Sequence, residues 1–205
     1  MIFGDEQFVA PAEEGEGWTA QYEADALPEN ATPAWTAEHE PIPLENSTVE
    51  INPAGKLHVS ALLGNPELVS WSITPEFSET IGLTVEFKVQ MVLGDVLANS
   101  LVETYVYINT GEHLFALNIY TDGITNYFDE TLYEMDTTDD YHIYRFIMQD
   151  GVGKLYIDGV LRATENDPLE DTSPKRIKLF AFPGAVDAEQ LWDYIYWKTD
   201  GAVAP

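Results

Sequence analysis

Aromatic side chains recur at every second position near the end of the chain, where Trp192, Tyr194 and Tyr196 alternate with other residues. A second pair with the same spacing, Tyr105 and Tyr107, lies near the middle. Because alternate side chains of a β-strand point to one face of its sheet, each set predicts a row of rings on one face. Such a row can stack on the apolar faces of sugar rings if it is exposed, or fill the core if it is buried.

Hydrolysis of a glycosidic bond would need two carboxylates about 5–9.5 Å apart. With 36 Asp and Glu in 205 residues, pairs arise by chance and carry little information. The best candidate is the run 134–139, in which Glu134 and Asp136 alternate. The next alternate position is Thr138 instead of a third acid, and the run reads as a turn before a strand that starts at Tyr141. We expect no catalysis there.

Other reaction types lack the residues that they need. The chain has no cysteine, so thiolate metal sites and cysteine nucleophiles are excluded. The histidines are scattered without metal-ligand spacing: His39, His58, His113 and His142. A lyase site that combined Tyr144 with Arg145 is not expected, because neighbouring residues of one strand face opposite ways. No Gly-x-Ser-x-Gly nucleophile elbow is present.

The chain is strongly acidic. It has 9 Lys and Arg against 36 Asp and Glu, a net charge of −27, and twelve acids precede the first basic residue, Lys56. Such a polyanion repels phosphate backbones and anionic lipid, which excludes nucleic-acid partners. No apolar run has the roughly 20 residues of a membrane span, so membrane insertion is not expected. The charge is typical of proteins from salt-loving organisms or their viruses; an ordinary acidic extracellular protein is the alternative.

Short alternating segments predict the elements that position these residues. In 83–91, Leu83, Val85 and Phe87 alternate with polar residues, as in a strand with one buried face. Further strands are predicted at 56–62, 67–73, 103–109, 113–121, 141–149, 154–158, 175–182 and 190–198. Asp-Gly pairs at 122, 150 and 158 favour hairpin turns. One helical turn is expected near 93–101. The pattern indicates an all-β sandwich or jelly roll.

The chain divides into three parts. Residues 1–16 have few apolar side chains and two nearby glycines, which predicts an extended N-terminal arm. Residues 17–200 form the predicted sandwich, and 201–205 are a C-terminal tail. The start of the chain lacks the basic and apolar regions of a signal peptide.

Three stretches together resemble the concanavalin A-like, laminin-G-like sandwiches. They are the opening segment from Trp18 to Trp35, the pair of strands that ends at Asp158-Gly159, and the closing segment 192–196. The resemblance covers about residues 18–198. It implies a two-sheet antiparallel jelly roll, a concave face that often binds sugars, and in some members a structural calcium.

The resemblance also implies a role for each face of the closing strand. It places Asp193, Ile195 and Trp197 between the sheets and the Trp192, Tyr194 and Tyr196 row on an outer face, as a platform for sugars. The alternatives are that this row belongs to the core or is covered. It further implies that Asp193 and Asp25 ligate Ca²⁺; hydrogen bonds from backbone amides to Asp193 are the alternative.

We therefore expect a lectin-like protein that binds glycans without catalysis. The preferred setting is a virion surface, as a capsid turret, decoration or fibre subunit that contacts host cell-surface glycans. We expect a homo-oligomer, attached to other virion proteins through the N-terminal arm. A secreted glycoside hydrolase or polysaccharide lyase, or its carbohydrate-binding module, is the extracellular alternative. A purely structural assembly subunit is another.

Overall fold

The computed structural model describes residues 17–40, 44–61, 67–97, 104–166, 168–181 and 187–201. The predicted arm, 1–16, and residues 202–205 of the predicted tail lie outside the described residues. Within the described part, helical conformation is confined to one 3₁₀ turn at Pro28–Asn30 and to Leu97, and no helix has the length and apolar character that a bilayer crossing requires.

Sixteen strands lie among the described residues. In chain order they are β1 (Ala20–Tyr22), β2 (Thr36–Ala37), β3 (Thr48–Ile51), β4 (Leu57–Ala61), β5 (Val69–Ile73), β6 (Leu83–Leu93), β7 (Thr104–Asn109), β8 (His113–Tyr120), β9 (Gly123–Thr125), β10 (Thr131–Glu134), β11 (His142–Gln149), β12 (Val152–Ile157), β13 (Val160–Glu165), β14 (Leu169–Glu170), β15 (Arg176–Ala181) and β16 (Ala188–Lys198).

The strands form two antiparallel sheets. The first has the order β13-β12-β11-β6-β16-β4-β3, with β1 also paired to β16. The second has the order β10-β9-β8-β7-β15-β5-β2, with β14 also paired to β8. The predicted all-β sandwich of two antiparallel sheets is confirmed.

Alternation places the core between the sheets. In β6, Leu83, Val85 and Phe87 are fully buried in the core cluster. In β15, Ile177 and Leu179 face the same cluster from the second sheet. Burying one such side chain stabilises the folded state by roughly 1.5–3 kcal/mol. The residues of opposite parity point away from the core and are available for other contacts.

Two of the three Asp-Gly pairs form the predicted hairpin turns. Asp150 and Gly151 have φ of 50° and 72°, and Asp158 and Gly159 have φ of 50° and 78°, as a two-residue primed turn requires. The third pair also lies at a hairpin, between β8 and β9, but its turn is Thr121-Asp122, because Gly123 already begins β9 opposite Tyr120. A Cβ atom there would lie 2.7 Å from the backbone oxygen of Tyr133, so only glycine fits.

The predicted strands overlap β4 to β8, β11, β12, β15 and β16. The short strands β2, β3, β9, β10, β13 and β14 were not predicted, since most of them have only two to four residues and too little alternation to signal a strand. Within the helical turn expected near 93–101, Leu97 is 3₁₀-helical, four residues after β6 ends at Leu93, and residues 98–103 lie outside the described residues.

Candidate functional site: an aromatic groove on the outer face of the second sheet

Two adjacent strands carry aromatic rings on the face of the second sheet that points away from the core. In β7, Tyr105 and Tyr107 point outward, while Val106 and Ile108 are buried in the core. In the neighbouring β15, Phe180 points outward and lies opposite Tyr105. The two strands therefore place three rings side by side. The spacing of Tyr105 and Tyr107 predicts the two rings on β7, and β15 adds the ring of Phe180.

These rings lie in a groove of about 450 Å³. The Phe180 ring centroid is 5.5 Å from that of Tyr105 and 6.3 Å from that of Tyr107, with tilted planes. Ala116 of β8 leaves room beside them, and Tyr127 stands at one side with 47% of its surface exposed. The result is a partly exposed apolar surface wide enough for a ring-shaped ligand.

Basic side chains of β15 pack against the groove's rings. The Arg176 guanidinium lies 5.1 Å from the Tyr107 ring centroid, and the Lys178 ammonium 4.3 Å from that of Phe180. Lys178 also pairs with Glu38 at 2.6 Å. Burial alone would raise the pKa of Glu38, but hydrogen bonds from Lys178 and Ser72 hold it below its usual value. These contacts fix the rings from one side.

A buried amide fixes the loop that carries Tyr127. Asn118 Nδ2, on β8, donates hydrogen bonds to Thr125 Oγ1 at 2.9 Å and to the Asn126 carbonyl at 2.8 Å. The Asn126 Oδ1 atom then accepts from the backbone nitrogens of Phe128 at 3.0 Å and Glu130 at 3.1 Å. The loop 126–130 is thus hydrogen-bonded internally and to the sheet, so the backbone that carries Tyr127 is held in place before any ligand arrives.

The polar atoms of the groove are suited to hydroxyl groups. Burial raises the pKa of Tyr105, with smaller contributions from Asp129 and Tyr127, so its hydroxyl stays protonated at neutral pH. Tyr107 donates to Asp171 Oδ2 at 3.2 Å. At the rim, Glu40 is the one carboxylate among the described residues that line the groove. A ligand would find apolar ring faces with hydrogen-bonding groups at their edges.

The closing strand differs from the prediction because it contains a β-bulge. Trp192 lies opposite Val89 of β6, and Tyr194 lies opposite the next residue, Lys88, so Asp193 is the extra residue. Because of this extra residue, even-numbered side chains face the core before the bulge and odd-numbered side chains face it after the bulge. Trp192 is only 2% exposed and packs in the core, 5.7 Å from the Phe87 ring centroid. The predicted placement of Trp192 on an outer platform is wrong.

Tyr194 and Tyr196 do share the outer face of the first sheet, but Tyr196 is buried and Tyr194 is half-buried. Their rings stack at 4.3 Å, and Trp18 lies 5.7 Å from Tyr196, which is 2% exposed. Tyr194 donates to Glu86 Oε1 at 3.0 Å, and Glu86 is paired with Arg145 at 2.5 Å. Trp18 covers Tyr196, and Tyr194 is engaged by the Tyr196 ring and by Glu86, so the two rings do not form the predicted open platform.

Asp193 also departs from its predicted place between the sheets. The bulge directs it toward Lys56 and Lys88, and each ammonium contacts one of its two carboxylate oxygens. Burial alone would raise its pKa, but the hydrogen bonds from Lys56 and Lys88 lower it. Asp25 is exposed in the turn after β1. Because two cations already compensate Asp193, the predicted Asp25–Asp193 calcium site does not fit this arrangement.

A different acidic cluster brings metal-ligand atoms together. Among the described residues, Glu79, Glu112 and His113 place one ligand atom each within 4.8 Å of one another. Glu79 is buried, and its Oε1 lies 2.6 Å from His113 Nδ1. No sequence pattern predicts this group, since Glu79 is far from the other two residues along the chain. Two carboxylates and one imidazole at this spacing are a ligand set that can hold a metal ion.

The residues considered for a lyase site are separated as expected. Tyr144 is buried in the core and stacks on Phe87 at 5.1 Å. Its neighbour Arg145 faces outward to Glu86.

Sequence reasoning missed Phe180 and Tyr127 as groove residues. Phe180 carried a signal, because Arg176, Lys178 and Phe180 alternate with buried residues, whereas Tyr127 comes from a loop and carried none.

No protein-family model and no curated protein matches the sequence. Solved structures do match. The potassium-bound carbohydrate recognition domain of Emp46p aligns with a TM-score of 0.58 and 14% identity, over 91% of this chain and 100% of that one. A β-1,3-1,4-glucanase (lichenase) from a mouse hindgut metagenome gives 0.58 and 14%, over 88% and 98%. Alginate lyase AlgAT5 gives 0.55 and 12%, over 84% and 98%.

At these identities the similarity establishes the fold alone. The chain is a concanavalin A-like sandwich of two antiparallel sheets.

Proposed function

We propose that this chain binds carbohydrate through the aromatic groove of the second sheet. One observation carries the proposal: Tyr105, Tyr107 and Phe180 form a partly exposed floor beside Tyr127, in a groove of about 450 Å³. The faces of sugar rings are apolar and their edges carry hydroxyls. A floor of aromatic rings with hydrogen-bonding groups at its rim matches both features.

The names of similar structures support the same ligand class. They include a carbohydrate recognition domain, a glucanase and an alginate lyase. These are proteins that bind or process glycans on this fold. Since a fold hosts many functions, the proposal depends on the groove, and the similar structures add only that the scaffold suits such ligands.

We further propose that binding proceeds without bond cleavage. Hydrolysis by the usual route needs two carboxylates on either side of the glycosidic bond. Among the described lining residues the groove offers one, Glu40, at its rim. Incubating the protein with the glycan that it binds should release no new reducing ends and no unsaturated products; release of either would establish an enzyme.

The experiment for binding is an array of neutral and acidic oligosaccharides, probed with the wild type and three variants. Tyr105→Ala and Tyr127→Ala should each lower binding at least tenfold, which corresponds to about 1.4 kcal/mol. Ile81→Ala removes an equally exposed apolar side chain elsewhere and should change nothing. Absence of wild-type binding to every glycan, or unchanged binding by both tyrosine variants, would contradict the proposal.

The biological setting is a separate proposal: a homo-oligomeric virion surface subunit of a salt-loving host, joined to other virion proteins through residues 1–16. Its support is the net charge of −27 and the glycan-binding type of scaffold. Antibodies against the protein should label intact purified particles from such a host. Labelling of the secreted fraction alone would favour the extracellular alternative, and a binding-inactive protein in particles would favour the purely structural one.

A further inference from the structure

A second hollow of about 380 Å³ lies on the far side of the loop 126–130. One wall comes from this loop, through Asn126, Phe128 and Glu130, and from Leu132 of β10 in the second sheet. The opposite wall comes from the end of β13 in the first sheet, through Thr164, Glu165 and the following Asn166. The hollow therefore opens where the edges of the two sheets meet.

The side chains around this hollow combine one exposed ring with many hydrogen-bonding groups. Phe128 is 52% exposed, so a polar residue at this position would not weaken the core. Asn126 Nδ2 donates to Glu130 Oε2 at 3.0 Å and lies 3.5 Å from Glu165 Oε1. Burial raises the pKa of Glu165, and the charge of Glu130 adds to this effect. Two acids and no basic side chain among the described lining residues disfavour an anionic ligand.

The hollow and the aromatic groove meet at two consecutive residues. Tyr127 lines the groove, and Phe128 lines the second hollow. Their ring centroids are 5.5 Å apart with the planes at 87°. A chain of sugars that lay across the loop would therefore meet one ring after the other, and hydrogen bonds to Asn126 Oδ1 hold the loop backbone that carries both rings.

We propose that the hollow bounded by Phe128, Glu130 and Glu165 is a second carbohydrate subsite, which binds uncharged, hydroxyl-rich units of the same glycan chain that occupies the aromatic groove. The inference rests on the proposed function of that groove. It adds that the ligand is a neutral oligosaccharide long enough to cross the loop 126–130, and that chain length determines affinity.

The test is isothermal titration calorimetry with neutral mixed-linkage β-glucan fragments, from disaccharide to hexasaccharide. Wild type should bind the hexasaccharide at least tenfold more tightly than the disaccharide. Phe128→Ala should remove this length-dependent gain and leave disaccharide binding unchanged. Because Phe128 also contacts Tyr127, a second variant, Asn166→Ala, alters the opposite wall without touching the loop and should lower only hexasaccharide affinity.

The outcomes separate the subsite from the groove. If the hexasaccharide binds no more tightly than the disaccharide, or if neither variant changes the difference, the second subsite is wrong while groove binding stands. Equal weakening of both fragments by Phe128→Ala, with Asn166→Ala like wild type, also overturns it and assigns Phe128 to the groove. No binding of any fragment, and none of any array glycan, overturns the proposed function itself. Tyr127→Ala, which should weaken both fragments, is the control for the groove.

Discussion

The side-chain amide of Asn118 lies 2.8 Å from the carbonyl oxygen of Asn126, and this contact joins a buried strand to the loop that carries the two exposed rings. Asn118 is itself buried beneath that loop. A polar residue so placed serves the loop more than the core, since an apolar side chain would fill the same space without anchoring anything. The contact therefore relates the stability of the fold to the shape of the groove.

Replacing Asn118 should test this relationship. In Asn118→Asp the shape is kept but both amide hydrogens are lost, and a carboxylate then faces the carbonyl of Asn126. We expect a loss of about 1–3 kcal/mol in the free energy of unfolding, measured in urea, together with weaker glycan binding. Asn30→Asp makes the same chemical change at an exposed site and should be neutral. Unchanged binding by a folded Asn118→Asp protein would show that the loop does not need this anchor.

Trp192 distinguishes a core ring from a groove ring. Because it is buried against Phe87, Trp192→Ala should cost about 3–5 kcal/mol and can unfold the domain. Tyr127→Ala, at a ring that is half exposed, should stay within about 0.5 kcal/mol of wild type and lose binding instead. Thermal and urea unfolding of both variants provide the comparison. A Trp192→Ala protein of normal stability that had lost binding would instead support the original prediction of a sugar-binding platform on the closing strand.

His142 gives the folded state a specific pH dependence. Its imidazole lies between Asp158 and Asp139, at 2.8 Å from each. The hydrogen bond to Asp158, followed by that to Asp139, raises the pKa of His142 to about 9 against the lowering effect of burial. A raised folded-state pKa gives stability that is complete below the unfolded value of about 6.5 and is lost as pH rises through about 9.

The free energy of unfolding should therefore fall between pH 6.5 and about 9, and His142→Gln should remove this slope. Chemical denaturation at a series of pH values measures both proteins. His39, whose pKa burial lowers instead, provides a matched histidine: His39→Gln should keep the alkaline slope of wild type. A slope that survives in His142→Gln would assign it to another group.

Salt should stabilise the folded chain well beyond ordinary ionic strength. The net charge of −27 makes self-repulsion large, and screening shortens the Debye length from about 10 Å at 0.1 M to about 3 Å at 1 M. For a salt-adapted protein the melting temperature should still rise between about 0.2 M and molar NaCl. A plateau by about 0.2 M, or a decrease above it, would indicate an ordinary acidic protein.

Much of the fold could be predicted from local pattern, because each long strand repeats its own alternation. In β6 the parity of Val85 and Phe87 is unbroken through the core, and the sandwich follows from several such strands. Alternation failed as a guide at the closing strand, because a bulge at Asp193 shifts the alternation of faces by one residue. No residue type at this position predicts a bulge. One extra residue was enough to move Trp192 from the predicted platform into the core.

The site was predictable only in part for a related reason. Tyr105 and Tyr107 share a strand, so their spacing alone places them on one face. Phe180 joins them through strand pairing and Tyr127 through a loop, and both contacts connect residues that are distant in sequence. The cover over Tyr196 comes from Trp18, nearly the whole chain away. Such long-range contacts are decided by topology, which local pattern does not specify.

The most direct test of the central claim is a backbone NMR titration of the labelled protein with mixed-linkage β-glucan hexasaccharide. Binding in the groove predicts chemical-shift changes concentrated at Tyr105, Tyr107, Tyr127 and Phe180, with little change on the outer face of the first sheet. Changes concentrated at Tyr194 and Tyr196, or no changes at all with the hexasaccharide and with every glycan of the array, would contradict the assignment of the aromatic groove as the carbohydrate site.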